Sequence, residues 1–102
     1  MNNPSRPHDD AVVELLREDP AFVDEYLAAA LEEADKEGGR LALLAALRQV
    51  AEAQGMAEIA ERAGIPRESL YRALSPNGNP TMKTLLAVLS AAGLKLGVHR
   101  AM

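Results

Sequence analysis

The sequence predicts an all-α protein with five or six helices, and three observations support this prediction. Apolar residues make up 48% of the chain, and most of them are Ala and Leu, which favour helices over strands. These residues recur at helical spacing through most of the sequence. Breaks rich in Gly, Pro and Asn separate the amphipathic segments. The length of 102 residues fits one compact domain with a short appendage.

The helices are placed by their apolar stripes and by the residues that start and stop them. Asp19 and Pro20 form a start signal, with Asp as the N-cap and Pro at the first helical position. Helices are predicted over residues 9–18, 20–34, 41–54, 56–63, 66–74 and 81–92. The inward positions predicted for the first and last of these helices are Val12, Leu15 and Leu16, and Met82, Leu85, Leu86 and Leu89.

The last segment, Leu94 to His99, alternates apolar and polar residues, which is the period of a half-buried strand. The sequence therefore predicts a short C-terminal strand. A single strand cannot form a sheet alone. It must pair with a partner chain, pair elsewhere in this chain, or remain a tail anchored by its apolar residues.

Charge divides the chain into two unequal parts, although the net charge is only −4. Residues 1–40 carry eleven acidic and four basic side chains, whereas residues 41–102 carry four acidic and seven basic ones. Gly38-Gly39 lies at this transition. We therefore expect an acidic N-terminal helical extension, 1–39, followed by a second domain, 40–102, whose mild basicity is compatible with a nucleic-acid partner.

Several function classes find no support in the sequence. The chain has no cysteine, which excludes a disulfide framework and cysteine catalysis. His8 and His99 have no further metal ligands at a suitable spacing in the sequence. No sequence spacing indicates a histidine that could activate a serine as a nucleophile. We therefore expect no enzyme activity, no metal and no cofactor. No apolar run approaches the roughly 20 residues of a membrane span, and no export signal is present, so the cytoplasm is the expected location.

Residues 56–74 have the pattern of two short helices joined by a tight turn, which is the helix-turn-helix arrangement. Gly64 supplies the residue that tolerates a positive φ, and Ala60 leaves room for the two helices to approach. Leu70 and Leu74 would anchor the second helix from below.

Once those leucines are buried, helical geometry determines which side chains of the second helix face outwards. Arg67, Glu68, Tyr71 and Arg72 share one face. Arg suits the O6 and N7 atoms of guanine, Glu can accept from cytosine N4, and Tyr can contact a thymine methyl group or a phosphate. The same face could also be an ordinary solvated helix surface.

The whole arrangement resembles the lambda-repressor/Cro-like helix-turn-helix family. The resemblance rests on the run from Ala60 through Gly64-Ile65, and on the polar loop ending in Asn79-Pro80-Thr81 before another amphipathic helix. A narrower similarity covers roughly residues 20–98 and is strongest over 67–80. In that respect the chain resembles addiction-module antidote proteins, which are antitoxins paired with a small RelE/ParE-like toxin.

This resemblance implies a lambda-repressor-like domain in a homodimer that represses its own operon and neutralises a small basic toxin. It places the DNA contacts on the recognition helix and around the start of the following helix. The implied DNA-binding residues are Arg67, Glu68, Ser69, Tyr71, Arg72, Asn79, Thr81 and Lys83.

Two alternatives remain open. One is a stand-alone phage-type transcriptional regulator with no toxin partner. The other is an interaction module that has kept the fold and lost DNA binding, which the net negative charge and Met56 would favour. Met56 stands where many relatives carry a phosphate-binding Gln, and Pro66 stands where a capping Ser or Thr is usual.

Overall fold

The computed structural model describes the backbone of residues 6–101 and the side chains of residues 9–101. Within that part the chain has six α-helices and no strand, which confirms the all-α class. The helices are α1 (Arg6–Glu18), α2 (Val23–Glu32), α3 (Gly39–Gln54), α4 (Met56–Ala63), α5 (Arg67–Ala73) and α6 (Met82–Ala91). A short 3-10 helix, Pro20–Phe22, connects α1 to α2.

The helix boundaries differ from the predicted ones mainly at the N-terminal end. α1 begins at Arg6 rather than at residue 9. Pro7 is compatible with the first turn of a helix, because the N–H group that proline lacks would have no partner there. Asp19 precedes Pro20 as expected, but its side chain makes no capping hydrogen bond. The segment after it forms a 3-10 turn before the α-helical hydrogen bonds of α2 begin.

One apolar core joins helices from both halves of the chain. α1 and α2 pack against α3, and α4 packs against α3, α5 and α6. The branched aliphatic members of this core are Leu16, Val23, Leu27, Leu44, Leu47, Val50, Ile59, Leu70, Leu74, Val88 and Leu89. Burial of these apolar side chains is the main contribution to stability in a domain of this size.

Two of the predicted inward faces are rotated in the structure. In α1, Val13 is buried and Leu15 is about half exposed, although Leu15 was expected inside. In α6, Met82 and Leu86 are 65% and 46% exposed, and the buried face is centred on Val88 instead. The prediction for Met82 and Leu86 was wrong because the partner of α6 is the neighbouring helix α4, whose position the periodicity of α6 alone does not specify.

The C-terminal strand predicted over Leu94 to His99 is also wrong for the single chain. Residues 94–101 form no helix and pair with no strand in the part of the chain that the structure describes. Only helices surround this segment, so no other edge is available to pair with it. Leu94 is half buried against the core, and the segment is therefore a tail anchored by an apolar residue.

A chain of polar contacts crosses the bundle through α3. Gln49 is 3% exposed; its Nε2 donates to Asp9 Oδ1 at 2.7 Å, and its Oε1 accepts from the Tyr26 hydroxyl at 2.5 Å. The Arg48 guanidinium lies 3.8 Å from the same aspartate and also donates to the Leu74 carbonyl at 2.9 Å. These bonds satisfy the buried amide and connect α1 and α2 to the end of α5.

Replacement of Tyr26 tests this network. Burial raises the pKa of the Tyr26 phenol, and the carboxylate of Asp9 raises it further. The unfolded chain therefore ionises Tyr26 at a lower pH than the folded chain, so this contribution to stability is present below the ordinary tyrosine pKa and is lost as the pH rises above it. Tyr26→Phe should reduce the free energy of unfolding at about pH 7 by about 0.5–1.5 kcal/mol, and should lack this part of the alkaline loss.

Urea denaturation followed by circular dichroism at about pH 7 and about pH 11 measures both effects. Tyr71→Phe is the matched control, since it changes the exposed tyrosine on α5 and removes no buried hydrogen bond. An identical alkaline loss in the wild type and in Tyr26→Phe would contradict the assignment.

Candidate nucleic-acid interface

The turn between α4 and α5 adopts the backbone conformation that its sequence predicts. Gly64 has a φ of 72°, which confirms the expected positive φ. Its N–H donates to the Glu61 carbonyl at 3.2 Å, and the Ile65 N–H donates to the Ala60 carbonyl at 3.0 Å. This pair of bonds is a Schellman motif, which ends α4 and satisfies two of its terminal carbonyls.

Helix α5 is held to the core by one face. Leu70 and Leu74 are almost completely buried, as predicted, and Arg48 donates to the Leu74 carbonyl just beyond the end of the helix. Ala73 is half buried beside them. The buried side and the bonded C-terminal end together determine which face of α5 is left outside.

The outer face of α5 presents four exposed side chains, Arg67, Glu68, Tyr71 and Arg72, with Ser69 half buried at its margin. The Arg67 guanidinium lies over the ring of Tyr71, 5.8 Å from its centroid. A cation over an aromatic face is attracted electrostatically, so this contact favours the observed orientation of Arg67. We call these four exposed residues the α5 face.

The loop from Ser75 to Pro80 lies beside this helix and shares a depression with it. The depression has a volume of about 330 Å³, and Ser69, Arg72 and Asn79 all line it. Gly78 is buried in the loop, where an added Cβ would lie 2.1 Å from the Ala73 carbonyl oxygen. Glycine is therefore needed here because two backbone segments approach closely.

Thr81 and Lys83 lie at the start of α6, beyond the loop. The Thr81 hydroxyl caps this helix, accepting the Thr84 N–H at 3.1 Å, and Lys83 is exposed in the first turn. The structure thus brings Asn79 to the margin of the α5 depression. In the described part of the chain, no side-chain hydrogen bond or ion pair joins Thr81 or Lys83 to α5.

Comparison with known proteins places the chain in a family. A family model described as "Probable addiction module antidote protein" matches residues 4–100. The chain belongs to this family. It is also 47% identical over 58 residues to an uncharacterised protein of Haemophilus influenzae, an alignment that covers 57% of this chain and 60% of that protein. The alignment therefore spans less than two thirds of the relative's length, and no solved structure gives a significant match.

The family is described as one of probable antidote proteins, or antitoxins, of addiction modules. Antidote proteins are generally regulators rather than enzymes. Between residues 6 and 101, no helix combines the length and the apolarity needed to cross a bilayer.

Two arginines that no sequence motif singles out, Arg40 and Arg48, hold α5 and the loop beside it in position. Arg40 donates to the Gly78 carbonyl at 2.7 Å and to the Asn79 side-chain oxygen at 3.1 Å, so it fixes the loop. Arg48 bonds the Leu74 carbonyl. Each arginine is more than 25 residues from its partner, and no local spacing rule could have found either contact.

The charges near the α5 face are fewer than the sequence count suggested. Arg62 forms an ion pair with Glu58 at 3.0 Å and also donates to the Ala91 carbonyl, so it stabilises the bundle. Among the side chains described, no ion pair involves Arg67, Arg72 or Lys83. The charges of these three cations are therefore available to an anionic ligand.

The structure provides no site for a metal among residues 9–101, where no group of three or more His, Cys, Asp or Glu side chains comes together. His99 lies 3.4 Å from Glu32, a pairing that the sequence spacing did not indicate. His8 is outside the residues whose side chains the structure describes.

Two glycine substitutions separate the roles of the turn and the loop. Gly64→Ala adds a methyl group in open space and should cost about 1 kcal/mol, because only the backbone conformation is strained. Gly78→Ala should cost about 3 kcal/mol, because its methyl group would collide with backbone carbonyls that cannot rotate away. Urea denaturation of the two variants measures the difference. A larger loss in Gly64→Ala than in Gly78→Ala would contradict the close approach of the loop to α5.

Proposed function

We propose that the chain is the DNA-binding antitoxin of a type II toxin-antitoxin module, which represses its own operon and neutralises a RelE/ParE-like toxin. In this proposal α4 and α5 are the two helices of a lambda-repressor/Cro-like helix-turn-helix. The observation that carries it is the α5 face, which is exposed and has two arginines. The opposite side of α5 is buried in the core, and Arg48 bonds the carbonyl at the end of the helix. A rigid, presented helix of this kind is what insertion into a major groove requires.

The side chains of the α5 face match the chemistry of base edges. Arg67 and Arg72 can each donate two hydrogen bonds to guanine, and Glu68 can accept from cytosine N4. The ring of Tyr71 supports Arg67 and can itself contact a thymine methyl group or a phosphate. In this proposal these four side chains read the sequence of the operator.

The remaining predicted residues would contact the DNA backbone and position the reading helix. These residues are Ser69, Asn79, Thr81 and Lys83. Arg40 lies next to Asn79 and holds its side-chain oxygen, so the amide nitrogen of Asn79 is directed away from that bond. Arg40 therefore joins the proposed site as a residue that positions the loop.

We further propose that the protein acts in the cytoplasm as a homodimer. A single module of this size reads only a few base pairs, whereas a two-fold dimer reads two half-sites about one helical turn apart. This doubles the contacts to phosphate and to bases without enlarging the chain.

The toxin half of the proposal rests on the family and on charge. Residues 1–40 carry eleven acidic side chains against four basic ones, and many of the acidic ones are exposed in the structure. A basic toxin would be attracted to this surface, which accelerates association. In this proposal the surface of residues 1–39 binds the toxin and the surface of residues 40–102 binds DNA, while both parts contribute to one core.

A stand-alone phage-type regulator is the second candidate, since it would share every feature of the proposed DNA site and lack only the toxin. A module that has lost DNA binding is the third. Met56 is 5% exposed, so this position offers no polar side chain to phosphate. The experiments below distinguish the three.

Arg72 and Lys83 should have different effects on DNA binding. Arg72→Ala should weaken binding to the DNA upstream of the gene by about 1–3 kcal/mol while leaving binding to random duplex almost unchanged. Lys83→Ala should weaken both and lower the salt slope by about one, because it contacts phosphate. Fluorescence anisotropy at several salt concentrations measures both constants.

Lys36→Ala is the control, because it removes an exposed lysine of the N-terminal extension that is paired with Glu33. It should bind like the wild type. If the wild type shows no salt-sensitive binding to its upstream DNA, the result favours the third candidate. If Arg72→Ala weakens specific and random binding equally, Arg72 contacts phosphate rather than a base.

The toxin is sought in the neighbouring reading frame. If that frame encodes a small basic protein that arrests growth, co-expression of this chain should restore growth.

Neutralising three exposed carboxylates of the extension, with Asp10→Asn, Glu18→Gln and Glu25→Gln, should slow association with the purified toxin about tenfold at low salt. The matched control neutralises Glu58, Glu61 and Glu68 and should associate at the wild-type rate. A neighbouring frame with no such product would favour the stand-alone regulator.

A further inference from the structure

The C-terminal tail begins at a fixed point and then leaves the bundle. The Leu94 N–H donates to the Leu89 carbonyl at 2.8 Å, and the Gly93 N–H donates to the Ser90 carbonyl, so a second Schellman motif ends α6. Beyond Leu94, the described tail makes no backbone hydrogen bond to another segment. Its N–H and C=O groups are therefore open to pairing, as those of an edge strand are.

A groove of about 610 Å³ lies between this tail and α2. Its floor is apolar, and acidic side chains at Asp24 and Glu32 belong to its α2 wall. His99 Nε2 of the tail lies 3.4 Å from Glu32 Oε1 of α2. Val98 is fully exposed although the groove is adjacent. The apolar lining comes from Leu27, Ala28, Leu31, Leu94, Leu96 and Val98.

We propose that the tail of a second copy of this chain occupies the groove, antiparallel to the resident tail, with the two-fold axis passing through Leu96. The inference rests on the homodimer proposed above and specifies its interface. Each copy would contribute one extended segment and one groove, so that the exposed Val98 side chains and the open backbone groups of both tails become buried together.

The sequence of the tail favours this register over its neighbours. With the axis at Leu96, Leu94 faces Val98 of the second copy and the two Leu96 side chains face each other. On the opposite face Lys95 lies across from Gly97, which has no side chain to oppose it. Apolar pairs thus occupy one face, and no two cations are directly opposed.

Shifted registers have fewer of these pairings. A shift of two residues, to an axis at Gly97, keeps Leu96 opposite Val98 but places Lys95 opposite His99 and Leu94 opposite Arg100. A shift of one residue sets the apolar side chains of one tail on the polar face of the other. The axis at Leu96 is therefore the register that the side-chain pattern specifies.

Charge and packing favour a second copy as the occupant. The incoming tail carries Arg100 on the same face as Leu94, Leu96 and Val98, and the wall that this face meets carries Asp24 and Glu32, so the charges are complementary. A two-stranded ribbon alone is only marginally stable in water. Here α2 of each copy would support the ribbon from below and provide the apolar layer that it needs.

Because the chain contains no cysteine, disulfide trapping tests the register directly. In Leu96→Cys, the two introduced thiols would face each other with their Cα atoms about 4.5–5.5 Å apart, within reach of a disulfide. In Val98→Cys, they would be separated by about 14 Å along the ribbon. Mild oxidation should therefore give a covalent dimer of Leu96→Cys and little of Val98→Cys, although residue 98 is the more exposed position.

Light scattering at micromolar concentration separates the failure of this interface from the failure of the homodimer. A monomeric wild type overturns both and leaves the groove to another partner, such as a toxin segment. A dimeric wild type that traps through residue 98, or through neither cysteine, overturns the interface alone.

Charge insertion gives an independent readout. Val98→Asp should weaken the dimer at least about tenfold, because an apolar side chain would no longer be buried at the interface. The matched variant is Leu86→Asp on the exposed face of α6, which should remain dimeric. Dissociation by Leu86→Asp with no effect of Val98→Asp would assign the interface to α6 and overturn the proposal.

Discussion

The fold depends on one helix, α3, which contacts the rest of the bundle through both apolar and polar side chains. Its apolar side chains fill the centre of the core, with Leu44, Leu47 and Val50 almost completely buried. Four of its polar side chains reach outward to other segments. Arg40 bonds the loop after α5, Arg48 the end of α5, Gln49 both α1 and α2, and Gln54 the Ala92 carbonyl after α6. Each bond pairs a group that would otherwise lie partly buried and unsatisfied.

This constraint explains why the α5 face is well defined although α5 is short. Helices of this length are marginal on their own, and most of their stability comes from tertiary packing. Leu70 and Leu74 provide that packing, while Arg48 bonds the C-terminal end of the helix and Arg40 holds the loop beside it. The proposed reading side chains are therefore positioned by residues of α3, which lie far from them in the sequence.

Local sequence signals predicted the features of the fold that local physics determines. The six helices, the positive φ at Gly64 and the buried Leu70 and Leu74 follow from periodicity and turn chemistry. The exposure of Leu86 and the unpaired tail do not, because they depend on which neighbour each segment meets. The candidate site divides in the same way. The outward residues of α5 follow from helical geometry, whereas the role of Arg40 depends on a long-range contact that no spacing encodes.

The same network bears on how two proposed functions can share so small a protein. Asp9 of α1 contacts Gln49 and Arg48, and Arg48 contacts the carbonyl that ends α5. A partner bound to the acidic extension would therefore act on a helix that is bonded, through one arginine, to the proposed reading helix. These contacts can transmit an effect to α5 only if α1 has two arrangements that the partner binds with different affinities. A ligand shifts such an equilibrium by no more than the difference between its two binding free energies. If the partner leaves α1 in place, the shared core keeps the two surfaces energetically independent.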